Sequence, residues 1–316
     1  MSRIVSVVLV AMLGACRVWA GVADECDHTD NDLQFLSLVY IVEIPLVVWD
    51  DTGGMVLNIT REDVEVKENG QPVQLESLRQ VDFEDLWVVL VMDGSLSTKD
   101  FLWALQKAAV ELVTMLPAYA RIAVLEFRQD ARVVVPFTAD RHMVEQAVRG
   151  IEALGRTDVV VGIEAAIRHL GDKPGRRAVM LFSDGMHEPE LCAGNQVVKD
   201  IGLLSQRAAA AGIRVYSVAQ GYPCNEALLE KVAHGTGGYY LHLSAPNLRR
   251  AIQHMVVDLA PSYLAIYRAP RLQFDGSWHE VAVTSRQGKW DIAHKRGYFL
   301  SLDELGETIH TLPGGN

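Results

Sequence analysis

Five oxygen-bearing side chains stand where apolar runs of this sequence turn polar. The stretch VVLVMDGSLS, residues 88–97, breaks from β-branched residues into Asp93, Ser95 and Ser97. A second apolar run, RRAVMLFSDG, ends at Asp184, and Thr157 lies in GRTDVVVGIEAAI, just before a helical pattern. In an open parallel sheet, ligands bind beyond the carboxyl ends of the strands. If the strands ending at Asp93 and Asp184 are neighbours, all five oxygens meet there. Two carboxylates and three hydroxyls suit a hard cation: Mg²⁺, with Mn²⁺ and Ca²⁺ as alternatives. With no imidazole or thiolate in the set, zinc and copper fit poorly. Five short side chains also leave part of an octahedron for water or a ligand oxygen. The competing reading is an ordinary loop in which Ser97 or Thr98 caps the next helix. Asp158 reads as a charge at a helix N-terminus.

Positioning these residues requires a mostly parallel sheet. From 84 to 260, strands alternate with helical patterns. LWVVLVM, RIAVLEF, RRAVMLFSDG, IRVYSVAQG and YYLHL read as strands. LSTKDFLWALQKAAVELVTML, DRHMVEQAVRGIEAL, VVVGIEAAIRHL, NQVVKDIGLLSQRAAAAG, NEALLEKVAHGTGG and NLRRAIQHMVVDLA read as helices. That alternation implies βαβ units with helices on both faces of the sheet. ARVVVPF follows RIAVLEF after a short link, so it adds one antiparallel strand. The flanks, 34–83 and 261–303, have β texture, with turns at Asp50-Asp51-Thr52-Gly53-Gly54 and Glu68-Asn69-Gly70. The economical reading is one small β-sandwich-like domain built from both flanks, with the α/β domain inserted in it. Residues 304–316 read as a tail.

Asp93-x-Ser95-x-Ser97, the loop Thr157 and Ser183-Asp184-Gly185 together resemble the von Willebrand factor A domain and its metal-ion-dependent adhesion site. The resemblance covers about 84–260. It implies a Rossmann-like sheet with a short antiparallel edge strand. It further implies that Ser95, Ser97 and Thr157 bind the metal directly or nearly so, while Asp93 and Asp184 act directly or through water. A carboxylate of a partner protein would complete the metal sphere. Leu96 replaces the family's usual small residue after the first serine and is a candidate partner contact, as are His187 and Glu188. The flanks resemble those of a bacterial exported subgroup, through Asp51-Thr52-Gly53-Gly54-Met55-Val56, Asp63-Val64-Glu65-Val66, Gly70 and Gly297-Tyr298.

The ends and the composition set the context. Residues 1–20 read as a signal peptide, with Arg3, the apolar run IVSVVLVAMLGA and small residues at Val18-Trp19-Ala20. Leu13-Gly14-Ala15-Cys16 resembles a lipobox, so cleavage after Ala20 and lipidation at Cys16 are both open. Residues 21–33 read as a flexible acidic leader. An exported chain permits disulfides. Cys192 and Cys224 each follow a strand end on the expected metal-bearing edge, and are expected to pair; Cys26 then remains unpaired or pairs between chains. The net charge of −11 argues against a nucleic-acid partner. GxSxG, HExxH and Walker A sequences are absent. The leading expectation is an exported, non-enzymatic protein-binding module. The alternatives are a metal-dependent hydrolase, for which only His187 and Glu188 offer acid–base groups, and a structural envelope component whose metal merely stabilises loops.

Overall fold

The computed structural model describes residues 5–11, 36–81, 85–187, 194–222, 224–244, 248–270 and 276–299. The N-terminal flank contributes β1 (Val5–Ala11), β2 (Leu36–Trp49), β3 (Val64–Glu68), β4 (Gln71–Val73) and β5 (Leu75–Gln80). The α/β unit follows as β6 (Leu86–Asp93), α1 (Leu102–Met115), β7 (Arg121–Phe127), β8 (Ala131–Thr138), α2 (Arg141–Arg149) and α3 (Val159–Leu170). It continues through β9 (Arg176–Ser183), α4 (Gly194–Ala210), β10 (Ile213–Ala219), α5 (Glu226–His234), β11 (Tyr240–His242) and α6 (Leu248–Leu259). The C-terminal flank supplies β12 (Tyr263–Arg268), β13 (Trp278–Ser285), β14 (Asp291–His294) and β15 (Gly297–Phe299).

The central sheet has the order β11-β10-β9-β6-β7-β8, parallel except for β8. Its middle strands are buried on both faces, which is why β6 and β9 read as unbroken apolar runs. One face packs on α1, α2 and α6 through Leu90, Leu105, Val144 and Val256. The other packs on α3, α4 and α5 through Val91, Ile163, Ile201 and Leu229. β6 lies between β7 and β9, so the strands ending at Asp93 and Ser183 are neighbours.

The flanks interleave into two further sheets. β2 pairs with β12 and β14, and β12 also pairs with β5; β13 pairs with β3 and β15. Val42, Ile44, Leu46, Val66, Tyr267 and Val283 fill the core between them. Val47 and Trp49, on the opposite face of β2, join the core of the α/β unit. β2 thus serves both cores, and its sequence changes from alternating to continuously apolar along its length. Gln80 pairs with Tyr263, so the α/β unit leaves and rejoins the sandwich at adjacent strands.

Within the sandwich, Glu68 is buried with both oxygens engaged. Oε2 accepts from Tyr267 Oη at 2.7 Å and Tyr298 Oη at 3.0 Å, and Oε1 lies 3.0 Å from His279 Nδ1.

Val5–Ala11, read from sequence as part of a removed leader, pairs antiparallel with the first half of β2. A run of β-branched and apolar residues suits an edge strand as well as an export signal.

Candidate metal centre

Asp93 is the last residue of β6 and is fully buried. Its Oδ1 accepts the Ser95 N–H at 3.0 Å, and its Oδ2 accepts the Ser183 hydroxyl at 2.6 Å. Ser183 in turn accepts the Gly185 N–H at 2.9 Å, so the ends of β6 and β9 are tied side chain to side chain. Ser95 Oγ and Ser97 Oγ are 3.0 Å apart, the first buried and the second facing solvent. The Ser97 hydroxyl also faces Asp184 and offsets part of the rise that burial gives its carboxyl. Asp184 is buried, and its Oδ1 accepts the Met186 N–H at 2.9 Å. Thr157 is buried as well; its hydroxyl reaches the Met186 carbonyl at 3.4 Å, which brings the third loop to the same point.

The capped-loop alternative fails on geometry. Residues Leu96–Thr98 form a short 3-10 turn, and α1 begins at Leu102 without a side-chain cap. Thr98 reaches backward instead, donating to the Asp93 and Ser95 carbonyls at 3.2 and 2.9 Å. Asp158 is an N-cap: its carboxylate accepts from the Val160 and Val161 N–H groups at the start of α3.

Three loops are held together by groups that the sequence reading missed. Glu126, near the end of β7, is buried and bridges Arg128 and Arg132 at 2.6 Å each. Arg128 also donates to the Gly94 carbonyl at 3.1 Å and the Glu152 carbonyl at 3.3 Å. Backbone bonds Leu154 N–H to Gly94, Leu96 N–H to Gly155 and Asp158 N–H to Arg128 complete the stitching. Gly94 leaves room for the Glu126 carboxylate: a Cβ there would lie 2.5 Å from its Oε1, so any larger residue must displace it. Gly185 has φ +68 and packs under the Asn225 carbonyl, which holds the loop after Asp184 close to α5.

The electrostatics are unusual. Burial, then the nearby Asp184 charge, pushes the Asp93 carboxyl up to about 7. Burial likewise raises Asp184. Neither acid has an ion-pair partner among the described residues; hydroxyls and backbone N–H groups surround them. Two buried acids without a countercharge form a set that a hard divalent cation satisfies. No group of three or more His, Cys, Asp or Glu gathers among the described residues, and this edge pairs its two carboxylates with hydroxyls instead.

The remaining candidates separate. Leu96 is 56% exposed beside the serines. The His187 ring is turned inward: its side chain is only 6% exposed, with Nδ1 3.7 Å from Asp158 Oδ1. Glu188 and Cys192 lie outside the described residues. The expected pairing of Cys192 with Cys224 is not found, because Cys224 is a free thiol. It is partly buried beside Tyr240, and burial, with the Asp184 and Glu226 charges, pushes it up to about 11. Burial thus favours the protonated thiol over the reactive thiolate.

Residues 88–187, a span containing all five oxygen donors, match the family model described as von Willebrand factor type A domain. No curated protein matches the sequence. Among solved structures, the chain is similar to BatB from Bacteroides thetaiotaomicron, at 20% identity and TM-score 0.46, over 55% of this chain and 98% of that one. It is similar to a von Willebrand factor type A protein from Catenulispora acidiphila, at 15% identity and TM-score 0.49, over 82% of this chain and 63% of that one. It is also similar to the manganese-loaded TRAP protein of Plasmodium vivax, at 12% identity and TM-score 0.46, over 69% of this chain and 96% of that one. The sheet order and strand-end loops described above agree with that match: the α/β unit has the von Willebrand factor type A fold, and residues 88–187 of it match the family model.

Proposed function

We propose that Asp93, Ser95, Ser97, Thr157 and Asp184 hold a divalent cation, Mg²⁺ foremost, and that an exported form of this chain uses it to bind an acidic group of a partner protein. The observation carrying this reading is the pair of buried carboxylates, Asp93 and Asp184, whose charge no basic side chain among the described residues answers. When bound there, a divalent cation supplies an electrophilic centre that a partner's carboxylate can coordinate. Asp93 and Asp184 provide the negative charge, and the Ser95, Ser97 and Thr157 hydroxyls provide neutral oxygens. Around them the chain exposes apolar side chains on the same edge. Leu96 follows Ser95, and Trp103 lies in the first turn of α1. Tyr222 adjoins Gly221, whose backbone packs against the Phe101 ring. Exposed aromatic residues of this kind anchor protein interfaces. Residues 1–20 support export, with either cleavage after Ala20 or a lipid anchor at Cys16. No helix among the described residues is long and apolar enough to cross a membrane.

Calorimetric titration of Mg²⁺ and Mn²⁺ into metal-stripped protein tests the site. Wild type is expected to bind; Asp93→Ala and Asp184→Ala lose binding, and Ser97→Ala loses less, since a charged ligand contributes more than a hydroxyl. Unchanged affinity in Asp93→Ala overturns the site. Pull-down from envelope extract, with Mg²⁺ and with chelator, tests the partner. Identical capture in both overturns the adhesive role, and metal-dependent turnover of an ester or peptide panel would favour a hydrolase instead.

A further inference from the structure

A basic groove runs between α6 and the sandwich, outside the five-oxygen edge. Its larger part is a cavity of about 490 Å³ between β11, α6, Pro45 of β2 and the His294–Arg296 segment. An adjoining cavity of about 350 Å³ shares Pro45, Val257, Asp258 and Lys295 with it. Six basic side chains line the two: Arg176, Arg177, Arg214, Arg250, Lys295 and Arg296. The one carboxylate among them, Asp258, is already engaged by Arg214 at 2.7 Å and by Tyr216 Oη at 2.6 Å. On a chain of net charge −11, the concentration of positive charge is local.

Two features separate this groove from a solvated basic surface. First, it is concave and has an apolar floor of Leu241, Met255 and Val257. Second, several cations are fixed and others are left open. Arg176 donates to the Leu259 carbonyl at 3.2 Å, and Arg177 donates to the Gly171 carbonyl at 2.6 Å and to the Ala211 carbonyl. Arg250 and Arg296 are exposed at the mouth, without a carboxylate partner among the described residues. The field they create is felt by His254 on the cavity wall: burial, then Arg296, His294 and Arg250, drives its pKa down to about 4. His254 is therefore neutral near neutral pH and adds no charge of its own.

We propose that this groove binds an amphiphilic organic anion, its carboxylate or phosphate head held by Arg250 and Arg296 and its apolar body lying on Leu241, Met255 and Val257. The cavity volume falls in the range of small-molecule sites, and an apolar wall with a few convergent polar groups is their usual make-up. Guanidinium groups suit both head groups through paired N–H donors.

The test is calorimetry on the full chain, stripped of metal and dialysed free of chelator, with octanoate, octyl phosphate and 1-octanol as probes. At least one anion is expected to bind saturably, with 1-octanol at least about ten-fold weaker; the preferred head group distinguishes a carboxylate source from a phosphate source. Arg250→Gln with Arg296→Gln is expected to weaken the anion at least about ten-fold at unchanged melting temperature. Asp93→Asn, which disables the five-oxygen edge, is expected to leave binding unchanged. Absence of saturable binding, equal binding by the double variant, or 1-octanol binding as tightly as the anions overturns the proposal. If the double variant loses its fold, salt decides: wild-type affinity that does not fall between about 50 mM and about 500 mM NaCl overturns it equally.

Discussion

Two buried acids, one in the sandwich and one at the sheet edge, are treated in opposite ways by their surroundings. Glu68 has each oxygen matched by a protein group: two tyrosine hydroxyls and an imidazole. Burial and the Glu68 charge raise Tyr267 and Tyr298, so both remain protonated donors. Asp93 meets a serine hydroxyl, one backbone N–H and a second carboxylate. A buried charge that its own chain satisfies is part of the architecture. A buried acid that meets only neutral donors and faces a second carboxylate at a strand end is the kind of group on which the proposed cation site rests.

The largest effect that can break this contrast is at Glu68. Glu68→Ala strands two hydroxyls and His279 in the core, and is expected to cost about 3–5 kcal/mol in urea unfolding. A neutral result would mean that the cluster is not structural.

Asp93→Asn is expected to act in the other direction. For wild type without metal, the folded carboxyl sits at about 7 instead of its ordinary 3.8, so folding favours the neutral form. The resulting penalty is absent below about pH 3.8, grows as pH rises toward 7, and is complete above that. Metal-free Asp93→Asn should therefore be more stable than wild type at pH 8, by about 1–4 kcal/mol, and should lose that advantage toward pH 4. Thermal melts of both proteins across this range check it, and Mn²⁺ at pH 8 should raise wild type alone. A variant less stable than wild type at pH 8 without metal would erase the distinction between the two acids.

The loops between these extremes sharpen it. Gly94→Ala places a methyl against Glu126 and should cost about 1–3 kcal/mol while weakening Mn²⁺ binding, read by unfolding and calorimetry on one preparation. The smallest effect is expected at Arg132, whose side chain is 72% exposed. Arg132→Ala should cost less than about 1 kcal/mol and leave metal affinity unchanged, since Arg128 still holds both Glu126 and the Gly94 carbonyl.

The central sheet and the five candidate oxygens were legible because their signals are local. β6 and β9 are unbroken apolar runs that stop at polar residues, and Thr157 stands directly before α3. What was not legible depends on register and on side-chain direction. Glu126 reaches Gly94 only because β6 and β7 pair in parallel with Met92 opposite Glu126. Its one sequence signal is an acid among the apolar residues of RIAVLEF. His187 follows Asp184 closely enough to invite a surface role, yet its ring turns inward toward Asp158. Spacing put Cys224 on the right edge but did not reveal its packing beside Tyr240. Val5–Ala11 shows the converse limit, since one apolar run satisfies two different rules at once.

The adjacency of β5 and β12 has a mechanical consequence. The α/β unit is threaded between two strands that are already hydrogen-bonded neighbours, with Val81 N–H donating to the Ser262 carbonyl at 2.9 Å. To the sandwich, a whole folded unit is equivalent to a short turn, and closing it requires little extra chain entropy. A pull on the distal edge of that unit does not run through one covalent linker. It arrives at two neighbouring strand ends together and spreads over the ladders joining β5, β12 and β2. The sandwich is then a two-point mount for the α/β unit, with the packing of Val47 and Trp49 as a third tie beside the paired strand ends.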